Sequence, residues 1–180
     1  FREGLIIGSA CEAGEIFGLI TDHRSRLELR RLAEFYDYLE IQPICNNRFM
    51  LEGDNPKAKN EEELREFNRR VVRLGQELGK PVAATCDVHF LDPEDEIFRH
   101  VLLTAKGFDD ADKPLPIYFR STDEMLKEFE YLGEEKAYEV VVENTRKIAE
   151  MCDMVSPLPP KVLYPPKIEN SAQQLKDLVY

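Results

Sequence analysis

Asp87 and His89 stand two apart in Lys80-Pro81-Val82-Ala83-Ala84-Thr85-Cys86-Asp87-Val88-His89-Phe90, where an apolar run empties into a carboxylate and an imidazole. An oxygen and a nitrogen donor converging on one point suit zinc, manganese or iron. Residues 82–84 read as a short interior strand of a parallel sheet, and such strands present catalytic or metal-binding side chains at their C-terminal tips. On a continuing strand, residues two apart point to the same side. A plainer reading gives the pair no chemistry: Asp87 caps the helix that starts near Pro93, and His89 is an ordinary loop histidine.

The strand-then-ligand pattern also occurs earlier, in Gly4-Leu5-Ile6-Ile7-Gly8-Ser9-Ala10-Cys11-Glu12-Ala13-Gly14-Glu15. A Cys11 thiolate would be a soft third ligand beside the oxygen and the nitrogen, whereas alone Cys11 reads as a small buried hydrophobe. Between the two runs, Tyr36-Asp37-Tyr38-Leu39-Glu40-Ile41-Gln42-Pro43 reads as a third strand with Glu40 and Gln42 on one face. That makes Glu40 a pocket candidate. Gly8 and Gly14 would let the backbone pass close around Cys11, or serve as turn glycines.

Helices must hold these strands in place, and the periodicity supplies them. Leu27, Leu29, Leu32 and Phe35 recur at roughly helical spacing over residues 24–35. Over residues 60–78, Asn60 can cap, Glu61, Glu62 and Glu63 favour the positive end of the helix dipole, and Leu64, Phe67, Val71, Leu74 and Leu78 form one stripe. Gly79 stops that helix and Pro81 opens the strand, the second half of a βαβ crossover. Arg65, Arg69, Arg70 and Arg73 alternate with Glu63, Glu66 and Glu77, the pattern of a solvated face. Residues 45–59 read as a loop over the strand ends. Pro93 opens a helix to about residue 104 with Asp92 as its cap, and places His100 away from the pocket.

After Gly107 the character changes to an acidic, proline-punctuated loop containing Asp109, Asp110, Asp112, Pro114 and Pro116. Ser121-Thr122-Asp123-Glu124 carries a capping signal, and two helices follow over residues 122–131 and 134–151, separated by Gly133. Residues 156–166 are proline-rich and semi-rigid, and 171–179 suggest a last short helix. Strands alternating with helices place the chain in the α/β class.

At 180 residues there is chain for one domain and at most two; 43% apolar and 33% charged residues are ordinary for a globular protein. The net charge of −11 argues against this chain being the main nucleic-acid clamp, because phosphate contacts want a basic face. Cys11, Cys45, Cys86 and Cys152 form no Cys-x-x-Cys pair, and neither a signal peptide nor a run long enough to cross a membrane is present, so the expected location is a reducing cytoplasm.

Four words occurring in one order resemble the PHP (polymerase and histidinol phosphatase) domain, specifically that of the PolC-type alpha subunit of bacterial DNA polymerase III. They are Arg2-Glu3-Gly4-Leu5-Ile6-Ile7-Gly8-Ser9-Ala10-Cys11, Phe35-Tyr36-Asp37-Tyr38-Leu39-Glu40-Ile41-Gln42-Pro43, the run from Pro81 to Asp95, and Phe119-Arg120-Ser121-Thr122-Asp123-Glu124-Met125-Leu126. The resemblance runs over nearly the whole chain. It implies a distorted β/α, TIM-like barrel whose strand ends hold up to three metals, with Cys11, Asp87 and His89 as ligands. The family's remaining ligands, an N-terminal His-x-His with further histidines and a glutamate, have no counterpart among His23, His89 and His100.

The resemblance further implies that residues 1–107 are the C-terminal part of the PHP barrel, and that 108–180 are its end, a helical segment and the passage toward a polymerase domain. The chain begins at Phe1 without a methionine, so the expected upstream partners are the N-terminal PHP segment and an inserted proofreading exonuclease. The parent would be a DNA-directed DNA polymerase using magnesium at a palm site absent here, with DNA, deoxynucleotides and other replisome subunits as partners. For the PHP site itself, two roles stand: a structural metal clasp, or a phosphoesterase or 3′-5′ exonuclease centre in which bridged metals position a hydroxide. A third reading is a free-standing histidinol-phosphatase-like enzyme, against which the polymerase-like segment after Ser121 speaks.

Overall fold

Two three-residue strands, β1 (Leu39–Ile41) and β2 (Val82–Ala84), pair in parallel at the centre of the computed structural model, which describes residues 2–108, 111–156, 163 and 165–179. Leu39 faces Val82 and Ile41 faces Ala84, and all four side chains are buried, as the apolar sequence of an interior parallel strand requires. Between the strands runs α3 (Glu61–Leu78), the crossover that a parallel pair needs. The Asn60 side chain accepts from the Glu63 N–H at 3.0 Å, and Gly79 ends the helix in the left-handed region at φ +63°. Leu64, Phe67, Val71 and Leu74 form its buried stripe, and Leu78 packs at the margin.

Two short helices cover the same core. In α1 (Glu15–Thr21), Ile16, Phe17 and Ile20 are buried, with Phe17 edge-on to Phe67 at 6.0 Å between ring centres. In α2 (Arg26–Ala33), Ser25 and Glu28 close a capping box, while Leu29 is buried and Leu27 and Phe35 remain outside. The segment before α1 is tied on by Asp37, whose N–H donates to the Ile7 carbonyl and whose carboxylate accepts from the Ile7 N–H, both at 2.7 Å. The Arg2 guanidinium lies 2.9 Å from the same carboxylate, and the two donors hold its pKa below the ordinary value.

Beyond β2, Pro93–Asp95 form one 3₁₀ turn leading into α4 (Glu96–Ala105). Asp92 and Asp95 close a capping box there, so Asp92 rather than Asp87 begins this helix. Ser121 and Glu124 cap α5 (Thr122–Glu128) in the same way. After the Gly133 break, α6 (Glu134–Tyr138), a π turn (Glu139–Glu143) and α7 (Asn144–Glu150) form one continuous helical run. Asn144 Nδ2 donates to the Val82 carbonyl at 3.0 Å and ties this run to β2. The last helix, α8 (Ser171–Val179), has no buried residue.

The described residues thus form a mixed α/β unit with a two-stranded sheet, and a closed barrel is not among them. The first expected strand is reduced to an isolated parallel bridge between Gly8 and Tyr38; a second bridge joins Phe90 to Tyr118. The expected loop over 45–59 begins instead as a 3₁₀ segment, Ile44–Leu51, that buries Ile44, Cys45, Asn46, Asn47 and Met50. Its two asparagines look loop-like in sequence, yet Asn46 Nδ2 is used inside, donating to the Cys86 carbonyl at 3.1 Å. Asp109 and Asp110 of the acidic loop, and residues 157–162 and Tyr164 of the proline-rich passage, lie outside the described residues.

Candidate functional site

β2 ends at Ala84, before the two candidate ligands, so strand alternation does not align them. A turn does. Asp87 has φ +57°, a left-handed conformation that aspartate tolerates better than most residues, and the turn brings its carbonyl oxygen 2.8 Å from His89 Nδ1. The Asp87 Oδ1 atom is 3.7 Å from the same nitrogen. A proton on Nδ1 donated to that carbonyl leaves Nε2 with its lone pair free, the tautomer in which metal-ligating histidines are held. The His89 N–H donates to the Ile117 carbonyl at 2.8 Å, fixing the backbone of the pair. Both side chains remain open to solvent.

Glu40, in the middle of β1, is half-buried beside the same strand end. Its N–H donates to Ser9 Oγ at 2.9 Å, and its carboxylate accepts from the Thr85 hydroxyl at 3.1 Å. Gly8 lies against this carboxylate and the Tyr38 ring: a Cβ at Gly8 would come within 2.3 Å of Tyr38 Cζ and 2.7 Å of Glu40 Oε1. Burial, followed by the nearby Glu40 charge, raises the Tyr38 phenol above its ordinary pKa.

Cys11 sits on a half-buried turn, where burial and the neighbouring Glu12 push its thiol pKa up, so at neutral pH it carries its proton. Gly14 is the glycine that closes around it, donating its N–H to the Cys11 carbonyl at 2.9 Å; a Cβ there would meet the Ser9 carbonyl at 2.3 Å. Gly8 makes its close approach elsewhere, at Tyr38 and Glu40.

Among the described residues, no three or more His, Cys, Asp and Glu side chains are grouped so as to hold a metal ion. Asp87 and His89 offer two donors, and Cys11 does not join them. Two donors leave a tetrahedral zinc half-coordinated, so the residues present do not fit a metal by themselves.

A second cluster centres on Arg120, which is 6% exposed. Its Nη1 lies 3.2 Å from Cys86 Sγ and its Nη2 3.2 Å from Cys45 Sγ, with Glu128 Oε1 3.8 Å from Nε. The guanidinium carbon stands 4.4 Å from the centre of the Tyr118 ring. Burial first, then the Glu128 charge, raises the Cys45 thiol, with Arg120 and Arg48 opposing. Arg120 therefore couples the 3₁₀ segment, the turn after β2 and α5 through one planar fork. It borders a cleft of about 980 Å³ whose wall also carries Arg48, Arg65, Lys127 and Tyr131 among glutamates. In the sequence Arg120 stands within the fourth word of the resemblance, a lone cation after Pro116-Ile117-Tyr118-Phe119, with nothing local to mark its partners.

No family model matches the chain. The chain is 54% identical over 178 residues to the PolC-type DNA polymerase III of Clostridium perfringens, covering 99% of this chain and 12% of that one. The protein of the same name from Caldanaerobacter subterraneus is 51% identical over 175 residues, 97% of this chain and 12% of its own. That of Bacillus subtilis is 43% identical over 187 residues, 100% of this chain and 12% of its own. The chain is thus similar from end to end to one slice, about 12% of the length, of PolC-type DNA polymerase III.

Proposed function

We propose that this chain is a segment of a replicative, PolC-type DNA-directed DNA polymerase, in which it contributes a PHP-like portion that binds metal and supports the polymerase. The observation that carries the reading is the end-to-end similarity to one slice of much longer polymerases. In this reading, residues 1–107 complete a split β/α barrel and 108–180 lead toward the polymerase domain. DNA, deoxynucleotides, magnesium at the palm, and other replisome subunits are engaged by the parent chain in the cytoplasm. No helix among the described residues is long and apolar enough to cross a membrane.

Asp87 and the free Nε2 of His89 are then two ligands of a metal, zinc, manganese or iron, whose further donors come from an upstream segment, with Cys11 and Glu40 at the margin of the same pocket. The metal's role in this proposal is to clasp the two halves of the split barrel. The solvent-open position of the pair also favours a second reading, in which the same centre hydrolyses phosphoesters.

Metal content of the intact polymerase, compared with Asp87→Ala plus His89→Ala, tests both. A clasp predicts that the double variant loses metal and melts lower, with polymerisation falling alongside stability. Loss of metal and of a phosphoesterase activity at unchanged stability would instead assign the site to catalysis. A wild-type chain holding no metal that depends on these residues would sink the ligand assignment.

A further inference from the structure

Helix α4 is inside out. Four of its five large apolar side chains, Ile97, Phe98, Val101 and Leu102, are 58–65% exposed, only Leu103 is partly covered, and the helix has no buried residue. Its polar side turns inward instead: Glu96 accepts from the Leu115 N–H at 2.7 Å, and His100 Nε2 lies 3.6 Å from Glu96 Oε1. Arg99 Nε and His100 Nε2 are buried without a hydrogen-bond partner. Apolar residues two-thirds exposed along one face of a helix mark a surface that another molecule or segment covers. Leu91, just before the turn that leads into α4, and Phe119 are likewise 63% and 60% exposed, and are joined where the Phe119 N–H donates to the Leu91 carbonyl.

We propose that this face of α4, with Leu91 and Phe119, is buried in the intact protein against an apolar surface of the same polypeptide lying outside residues 1–180. The proposal rests on the polymerase reading above. It is argued from length, since the chain spans only 12% of the relatives it matches, leaving most of such a polypeptide available to pack on it. Charge speaks against a lipid surface: the helix is entered through exposed Asp92 and Glu94 and the chain carries a net −11, whereas helices that lie on anionic membranes carry lysine and arginine beside the apolar face.

The intact polymerase chain is the material for the test. Photoreactive p-benzoylphenylalanine is placed at Phe98 and, separately, at Leu102; the chain is irradiated with and without phosphatidylglycerol vesicles, and the products are mapped by mass spectrometry. The expected product is a cross-link within one chain, joining position 98 or 102 to a peptide outside residues 1–180. Cross-links only between two copies, only to lipid, or none from either position would overturn the proposal. Primer extension by the same unmodified chain keeps the two readings apart: failure to extend defeats the polymerase reading, whereas an active chain lacking the internal cross-link defeats the docking proposal alone.

Discussion

Tyr131 shows how one residue sets a condition on the fold. Its hydroxyl accepts from Asn68 Nδ2 at 2.8 Å, and its ring stacks beneath Arg69 and Arg65 at 5.3 and 5.8 Å. Burial pushes its pKa up to about 12. A folded-state pKa above the unfolded value of about 10 means that the folded chain retains a proton the unfolded chain releases. The associated stability is present below about pH 10 and is lost as pH rises toward about 12, by up to roughly 3 kcal/mol. Tyr131→Phe should flatten that alkaline decline in denaturant titrations while costing about 1 kcal/mol at neutral pH, where Asn68 loses its acceptor. An identical decline in both proteins would assign it to other groups. The residues that matter were unevenly legible in the sequence. The two-residue spacing of Asp87 and His89 rightly suggests neighbours, although a left-handed turn rather than a strand joins them. The role of Arg120 was not legible because its partners Cys86 and Cys45 lie 34 and 75 residues away, and no local pattern encodes such a contact.

Among the elements, α3 and β2 were the most legible, because cap, stripe and stop all lie within one contiguous stretch. How closely they approach was not. Gly75 on α3 faces Val82 on β2, and a Cβ at Gly75 would stand 2.3 Å from Val82 Cγ2 and 3.0 Å from the Lys80 carbonyl. Helix propensity alone would reward Gly75→Ala by about 1 kcal/mol. The contact reverses the sign, because Val82 is buried and β-branched and cannot swing away; overpacking of this kind costs about 1–3 kcal/mol. Gly75→Ala should therefore lower the melting temperature, and a rise would mean that β2 shifts freely against α3. The orientation of α4 lies beyond sequence reading for a related reason: periodicity locates an apolar stripe, but it does not say whether the stripe's partner belongs to these 180 residues.

At the scale of the whole molecule, the charge pattern separates a surface that binds nucleic acid from one that is merely charged. Of the four arginines on the outer face of α3, three are engaged by glutamate, Arg65 with Glu61 and Glu62 at 3.5 and 3.2 Å, Arg69 with Glu62 at 2.6 Å, and Arg73 with Glu66, while Arg70 donates to the Ile20 carbonyl at 2.9 Å. The sequence implies a solvated, charge-interleaved face without fixing these partners: the Arg65 pairs are three and four apart, as helix neighbours are, whereas Arg69–Glu62 and Arg73–Glu66 reach across seven residues and Glu77 turns to Arg26 instead. A phosphate backbone would have to displace those carboxylates in a chain already at −11. Each phosphate contact made by a protein adds about 0.9 to the slope of log affinity against log salt concentration. Replacing Arg65, Arg69 and Arg73 together by glutamine in the intact protein should leave that slope unchanged, with about 0.3–0.5 kcal/mol lost per ion pair besides the stacking of Arg65 and Arg69 on Tyr131. A slope reduced by roughly 2 to 3 would instead place α3 on the DNA path. On the polymerase proposal, that outcome would put this chain at the template rather than behind it.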